Sequence, residues 1–288
     1  MLALAFLTAC SGPAGAPANA AAASARGHAI QNKGSDTMVN LALAWAEAYR
    51  VDHPDVKIAV TGGGTGTGIA ALINGTADMA NASRALKANE IEEAKANGFE
   101  PLEHVVAIDA LAVIVNPANP VSQLTIEQLS QIFTGQITSW RDVGGRDAPI
   151  ILVSRESNSG THVYFLETVL RMGDSQSTAV FAPQTLLMPS SVGITSEIQR
   201  NPNAIGYDGL GYVTGHEKLI AVAQDAHSPY VLPSVQNGAN GSYPIARSLY
   251  IYTAGEPTGA MADYLAWIKG AAGQAIVANL GFVPLPQE

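Results

Sequence analysis

Charge and cysteine are what this sequence has least of. Only 14% of its 288 residues are charged, and it holds a single cysteine. One thiol excludes a disulfide framework and any metal site built on clustered cysteines. No run of about 18 or more apolar residues occurs, so no segment reads as a membrane-spanning helix. Basic residues are also scarce, with 15 Lys and Arg against 24 Asp and Glu and a net charge of −9. That balance disfavours nucleic acid as a partner, because such a partner requires a basic face. What the chain does have is a 47% apolar content, which with so little charge argues against disorder. Its length suits about two domains of roughly 100–200 residues each. An anionic partner would have to be held by local donors, since the net field repels it.

The lone Cys10 closes a short apolar run that begins at Met1. The run reads as the end of a secretory signal, an apolar core followed by small residues. Leu7-Thr8-Ala9-Cys10 resembles the bacterial lipobox, whose cysteine is lipidated and becomes the mature amino terminus. Cleavage near Ala18-Asn19-Ala20 is the alternative and would release a soluble protein. No basic segment precedes the core, so the true start is expected upstream of Met1. Residues 11–28 are mostly Ala, Gly, Pro and Ser, the composition of a flexible tether. The expectation is an exported protein attached to the membrane surface through a lipid anchor at Cys10.

From Ala29 onward, short apolar strands alternate with amphipathic helices. Met38, Leu41, Trp45 and Ala48 recur at helical spacing, with Ser35 and Asp36 placed as caps. Val56–Val60 and Ala77–Ala80 read as strands, Ile69, Leu72 and Ile73 as a helix face, and Glu90–Asn97 as a polar helix. Val105–Asn116 is a longer β-branched run closed by Pro117. Ile150–Val153 reads as a buried strand, followed by a helix with Phe165, Leu166, Val169 and Leu170 on one side. This alternation defines an α/β fold with largely parallel sheets.

Four turns of small residues lie at or beside strand-to-helix junctions. They are Gly34–Met38, Gly62–Gly68, Ala82–Arg84 and Arg155–Thr161. A helix start presents unpaired N–H groups and a partial positive charge, which favours anions. Glycine permits close backbone approach, and Ser or Thr hydroxyls add donors. Arg155 and Arg84 are candidates for charge-assisted pairing with a tetrahedral oxyanion. The Gly62–Gly68 run lacks the Gly-Lys-Ser/Thr ending of a nucleotide loop. Ser159 and His162 are near in sequence, yet no Gly-x-Ser-x-Gly elbow is present. The six histidines show no metal-ligand spacing. An enzyme is therefore disfavoured, and neither a metal nor a cofactor is expected.

These turns occur in the order and spacing of a known family. Gly34-Ser35-Asp36-Thr37, Gly62–Gly68, Asp78 with Ser83-Arg84, and Arg155 with Ser159-Gly160-Thr161 carry the likeness. Leu124–Leu129, Ile132–Gly135, Trp140, Ala204–Tyr207 and Tyr243–Tyr250 extend it. Over about residues 30–286 the chain resembles the substrate-binding lipoproteins of Pst-type ABC phosphate importers. The resemblance implies a two-lobed type II periplasmic binding protein with a ligand cleft between the lobes. Lobe 1 would take residues 29–110 and 250–288, and lobe 2 residues 111–249, with hinge strands near Val105–Val115 and Arg247–Tyr252.

By the same resemblance the ligand is inorganic phosphate, held by Ser35, Thr37, Thr65, Ser83, Arg155, Ser159, Gly160 and Thr161, with Arg84 beside Ser83 as a further candidate from its charge. It also implies the membrane subunits of an ABC permease as partners, an extracytoplasmic place and a monomer. One position departs from the best-understood members, which carry a carboxylate where this chain has Ser83. That carboxylate accepts the proton of hydrogen phosphate and repels sulfate. Asp36 is expected to take over as acceptor, or else to be a helix cap turned to solvent. The departure keeps other oxyanions, such as sulfate or molybdate, as the alternative ligands. A phosphoryl-processing enzyme stands further behind.

Overall fold

The computed structural model describes residues 29–286, so the expectations for Cys10 and the tether fall outside the described residues. In the first lobe β1 (Ile30–Gly34) leads through a 3-10 turn (Asp36–Met38) into α1 (Val39–Asp52). There β2 (Ile58–Thr61) leads into α2 (Thr65–Ile73), and β3 (Met79–Ala82) precedes α3 (Ala88–Ala96). The long strand β4 (Pro101–Val115) crosses to the second lobe. That lobe contains β5 (Gln123–Thr125), α4 (Ile126–Phe133), β6 (Ile151–Arg155), α5 (Gly160–Phe165), β7 (Leu186–Met188) and α6 (Ser191–Arg200). It continues with β8 (Ala204–Gly209), β9 (Lys218–Leu219), β10 (Ala221–Ala223) and α7 (Val235–Ala239). The return strand β11 (Ala246–Ala254) leads back to α8 (Ala260–Lys269) and α9 (Ala271–Asn279) in the first lobe.

One continuous sheet runs through both lobes in the order β2-β1-β3-β11-β4-β8-β6-β7, with β9 also on β4. Strand β4 is the junction. It pairs with β11 up to Ala110 and with β8 from Leu111 onward. The expected parallel pairing holds inside each lobe, for β1 with β2 and β3 and for β6 with β7 and β8. Every antiparallel pairing in this sheet involves β4 or β11. The difference has a topological reason: a strand that enters a lobe and one that leaves it run in opposite directions when they lie side by side.

Each lobe has its own core. In the first, Leu41, Trp45 and Tyr49 place three large apolar groups on one face of α1. They pack with Met79, Leu249, Tyr264 and Phe282. The Trp45 indole N–H donates to Gly273 O at 2.9 Å, tying α1 to α9. In the second lobe, Leu129, Phe133, Phe165 and Tyr207 belong to a core that also includes Leu111 and Val113 of β4. The rings of Phe165 and Tyr207 stack in parallel at 3.6 Å. Thr125 and Gln128 form a reciprocal capping box that starts α4. The helix expected around Phe165–Leu170 forms, but its second half widens into a π segment, Leu166–Leu170.

The glycine in the first turn of α2 is dictated by close packing. A Cβ on Gly68 would lie 2.5 Å from both Gly34 Cα and Lys33 O, so α2 rests directly on the backbone of β1. Since the clash is with main chain, side-chain rotation cannot relieve it. Gly68→Ala is expected to destabilise the protein by about 1–3 kcal/mol. Denaturant melts of the two chains measure this.

Candidate functional site

The chain turns of both lobes meet where β1, β3 and β6 end. Ser35 and Thr37 lie in the turn that precedes α1, and Thr65 opens α2. Ser83 follows β3, while Ser159, Gly160 and Thr161 form the start of α5. All four hydroxyls of the first lobe are essentially buried, as are Ser159 and Thr161.

Hydrogen bonds join these hydroxyls within the first lobe and across the cleft. Ser35 Oγ donates to Ser83 Oγ at 2.9 Å, and Ser83 Oγ lies 3.3 Å from Thr65 Oγ1. Across the cleft, Thr37 Oγ1 and Thr161 Oγ1 share a hydrogen bond of 2.8 Å. Gly160 fits because it has no side chain: a Cβ there would lie 2.4 Å from Thr65 Oγ1 and 2.5 Å from Ser83 Oγ. The α5 turn is thereby pressed onto the first lobe's hydroxyls. Nearer the surface, Asn158 accepts from Gly66 N at 3.0 Å and donates to Gly63 O at 3.0 Å.

The expected caps are not made by the residues placed for them. Ser35 has no side-chain cap bond to its own helix, because its hydroxyl is directed to Ser83. Asp36 reaches across the cleft, where its Oδ2 accepts from Ser191 N at 2.9 Å, at the start of α6 in the other lobe. The same oxygen is 3.3 Å from Arg155 Nη2. Asp36 therefore caps a helix, but one that belongs to the opposite lobe. Its side chain retains 22% exposure, which places this ion pair at the rim.

The two expected arginines are engaged with protein groups. Arg155 donates through Nε to Met188 O, through Nη1 to Ser191 Oγ and through Nη2 to Pro189 O. Arg84 grips Glu90 with both terminal nitrogens, at 2.8 and 2.6 Å, and also donates to Ala85 O. Burial alone would raise the Glu90 carboxyl, but hydrogen bonds from Arg84 and from Lys87 N hold it below its ordinary value. The structure thus brings together Ser35, Thr37, Thr65, Ser83, Gly160 and Thr161, with Ser159 capping the α5 turn through Thr161 N. It pairs Asp36 with Arg155 at the rim and turns Arg84 toward Glu90.

Sequence reasoning gave no site role to Asn158, Ser191, Asp208, Asp109 or Arg247. The signal for the last two was visible: each is the only charged residue in its half of an apolar hinge strand, so each needs a partner. Arg247 meets Asp109 Oδ2 through Nε and Nη2, at 3.3 and 2.9 Å, and its Nη2 also donates to Thr161 Oγ1 at 2.9 Å. The Ser159–His162 proximity yields no nucleophile–base pair. His162 Nδ1 lies instead against Arg155 O and Ser154 Oγ, at 2.9 and 3.1 Å. Among the described residues no cluster of metal-ligating side chains exists.

Fold and site together define a two-lobed α/β binding protein whose cleft is lined by buried hydroxyls. Residues 18–271 match the model of the PBP superfamily domain. A phosphate-binding protein PstS of Pseudomonas aeruginosa is 34% identical over 274 residues, covering 89% of this chain and 83% of that protein. The PstS of Bacillus subtilis is 33% identical over 291 residues, covering 99% and 92%. A phosphate ABC transporter substrate-binding protein from Clostridium perfringens, solved with bound phosphate, superposes with a TM-score of 0.80 at 31% identity, covering 90% of this chain and all of that one. An ABC-type phosphate transport receptor from Vibrio cholerae gives a TM-score of 0.71 at 30% identity, with 89% and 100% covered. The chain belongs to the PBP superfamily and, within it, to the PstS phosphate-binding proteins. These are substrate-binding proteins and not enzymes.

A buried carboxyl behind the rim makes stability depend on pH. Asp208 accepts from Ser191 Oγ at 2.9 Å and from Gly209 N at 2.8 Å, while its Oδ2 has no partner among the described residues. Burial pushes its pKa up to about 7, against the pull of Arg155 and these donors. A proton held more tightly in the folded chain contributes stability that is complete below about pH 4 and lost as pH rises through about 7. Asp208→Asn is expected to flatten the fall in stability between those limits, as read by thermal melts across that range.

Proposed function

We propose that this chain binds inorganic phosphate in the hydroxyl-lined cleft and delivers it to an ABC permease for import. The observation that carries the reading is the convergence of Ser35, Thr37, Thr65, Ser83 and Thr161, from both lobes, on one buried point. Each hydroxyl can rotate its proton toward an anion. Gly160 and the Ser159-capped turn add backbone at a helix start, where negative charge is favoured. The names and bound phosphate of similar proteins support the same ligand.

The magnitudes suffice. A micromolar dissociation constant corresponds to about 8 kcal/mol. Hydrogen bonds to a charged group contribute roughly 1.5–3 kcal/mol each, so six donors exceed that figure before ordering costs are deducted. Because the hydroxyls of the two lobes touch one another, phosphate enters by parting the lobes and then replaces neutral contacts with charged ones. The lobes would turn about β4 near Ala110 and Leu111, where its partner changes from β11 to β8. The second crossing would lie near Ala246, where β11 begins opposite Ala110.

In this reading Asp36 and Arg155 close the rim, and Arg84 fixes the loop that carries Ser83. The acceptor role of Asp36 then falls to Oδ1, which faces Gly62, since Oδ2 is engaged with Ser191 and Arg155. The protein works outside the cytoplasm, as a monomer, attached through lipid on Cys10 at the end of a tether spanning residues 11–28. No described helix is long and apolar enough to cross a membrane.

Calorimetric titration with phosphate and sulfate tests the ligand. Phosphate should bind in preference to sulfate, and Ser83→Ala or Thr161→Val should each weaken it about tenfold or more. Preference for sulfate would overturn the reading, and unchanged selectivity in Asp36→Asn would remove the acceptor role. For the anchor, Cys10→Ser expressed in a bacterium should shift the protein from the membrane fraction to the soluble extracytoplasmic fraction.

A further inference from the structure

Three arginines stand near the cleft, and their donors are spent differently. Arg84 directs both terminal nitrogens to Glu90 and leaves only its Nε without a partner among the described residues, while Arg155 directs its donors to Met188 O, Pro189 O, Ser191 and Asp36. Arg247 is held by Asp109 along its Nε and Nη2 edge. Its Nη1 is buried and has no hydrogen-bond partner among the described residues. The whole residue is only 5% exposed.

A guanidinium is planar, with both Nη atoms at its outer end. The end of Arg247 that donates to Thr161 Oγ1 therefore carries Nη1 as well. Thr161 Oγ1 is itself 2.8 Å from Thr37 Oγ1, so this end of the guanidinium abuts the buried hydroxyl cluster. Its orientation is fixed from two sides. Asp109 is its register partner on β4, and the Tyr164 ring lies 5.3 Å from the guanidinium carbon. The Tyr164 hydroxyl in turn donates to Ala246 O on the same strand as Arg247. A charged donor that is buried, rigid and unsatisfied is costly in a folded protein. An anion among the hydroxyls would satisfy it.

We propose that Arg247 is a further cation that meets the bound anion, with Asp109 as the residue that positions it. The proposal rests on the reading of the hydroxyl cluster as a phosphate site. It places the charged contact on the hinge strand β11, so that the anion would be held by the crossing itself as well as by the two lobes.

The test is calorimetric titration of the full chain with inorganic phosphate, alongside thermal melts in phosphate-free buffer. Arg247→Gln combined with Asp109→Asn replaces the ion pair by two amides and leaves no buried charge unpaired. It is expected to fold and to bind phosphate roughly 10- to 100-fold more weakly, the loss of one hydrogen bond to a charged group. Arg247→Lys keeps the pairing with Asp109 but withdraws the second Nη, and should bind at an intermediate affinity. A folded double variant, or a folded Arg247→Lys variant, with affinity within about twofold of the wild type overturns the assignment of Arg247 alone. A wild-type chain that takes up no phosphate overturns both this inference and the reading on which it rests.

Discussion

The buried ion pair at the strand crossing, Arg247 with Asp109, is the constraint around which the two lobes are arranged. Both residues are nearly inaccessible, and they face each other as register partners on β11 and β4. Removing one partner from such a pair strands a buried charge, which commonly costs 3–5 kcal/mol. The pair therefore fixes where β11 lies on β4 more firmly than apolar strand residues could. One residue further along β4, after Ala110, the strand changes partner and enters the second lobe. The third contact of Arg247, to Thr161, joins this crossing to the start of α5. Crossing, second lobe and cleft are thus in register through a single side chain.

The acidity of the chain explains why the cleft is built from neutral donors. With a net charge of −9, the long-range field opposes an anion, and screening beyond about 8–10 Å removes much of any steering. A site of hydroxyls and helix starts needs no such field, because its donors act within hydrogen-bond distance in a desolvated volume. The arginines near the cleft are each matched by a carboxylate: Arg84 by Glu90, Arg155 by Asp36 and Arg247 by Asp109. Matching keeps the positive charges oriented and prevents a general basic patch that would hold any anion.

Much of this was legible in the sequence, and what was not has a physical reason. The alternation of strands and helices, the α1 face through Leu41 and Trp45, and the long β4 run could be read because periodicity is local. The turns at Gly34, Gly62, Ser83 and Arg155 could be picked out because small residues before a helix are rare enough to notice in combination. Their partners could not be read. Thr37 and Thr161 are 124 residues apart, and nothing in local spacing says which hydroxyls will face each other. The same holds for Asp36, whose helical cap lies 155 residues away at Ser191. A cap read from sequence assumes the nearest helix, and here the cleft supplies a different one. Arg247 and Asp109 fall in the two expected hinge strands, but local pattern does not pair them, although a lone charge in an apolar strand must find its opposite.

Closure in this protein is made partly of contacts that need no ligand, and that sets how a ligand can control it. At the rim, the bond from Asn158 to the Gly63–Gly66 turn is exposed, whereas in the Asp36–Arg155 pair the arginine is buried and only the carboxylate keeps 22% exposure. The exposed contact contributes little, and the attraction in the ion pair is partly offset by the desolvation of Arg155. Deeper in, the Thr37–Thr161 bond is neutral and contributes roughly 0.5–1.5 kcal/mol net. Together these guide the lobes into one closed register without holding them there strongly. A ligand shifts such an equilibrium only by its differential affinity for the closed form. An anion that touches donors from both lobes has that differential affinity, because the open form offers it only one lobe's share. Weak protein-made closure and strong anion-made closure together are what allow the shape of the cleft to report its occupancy.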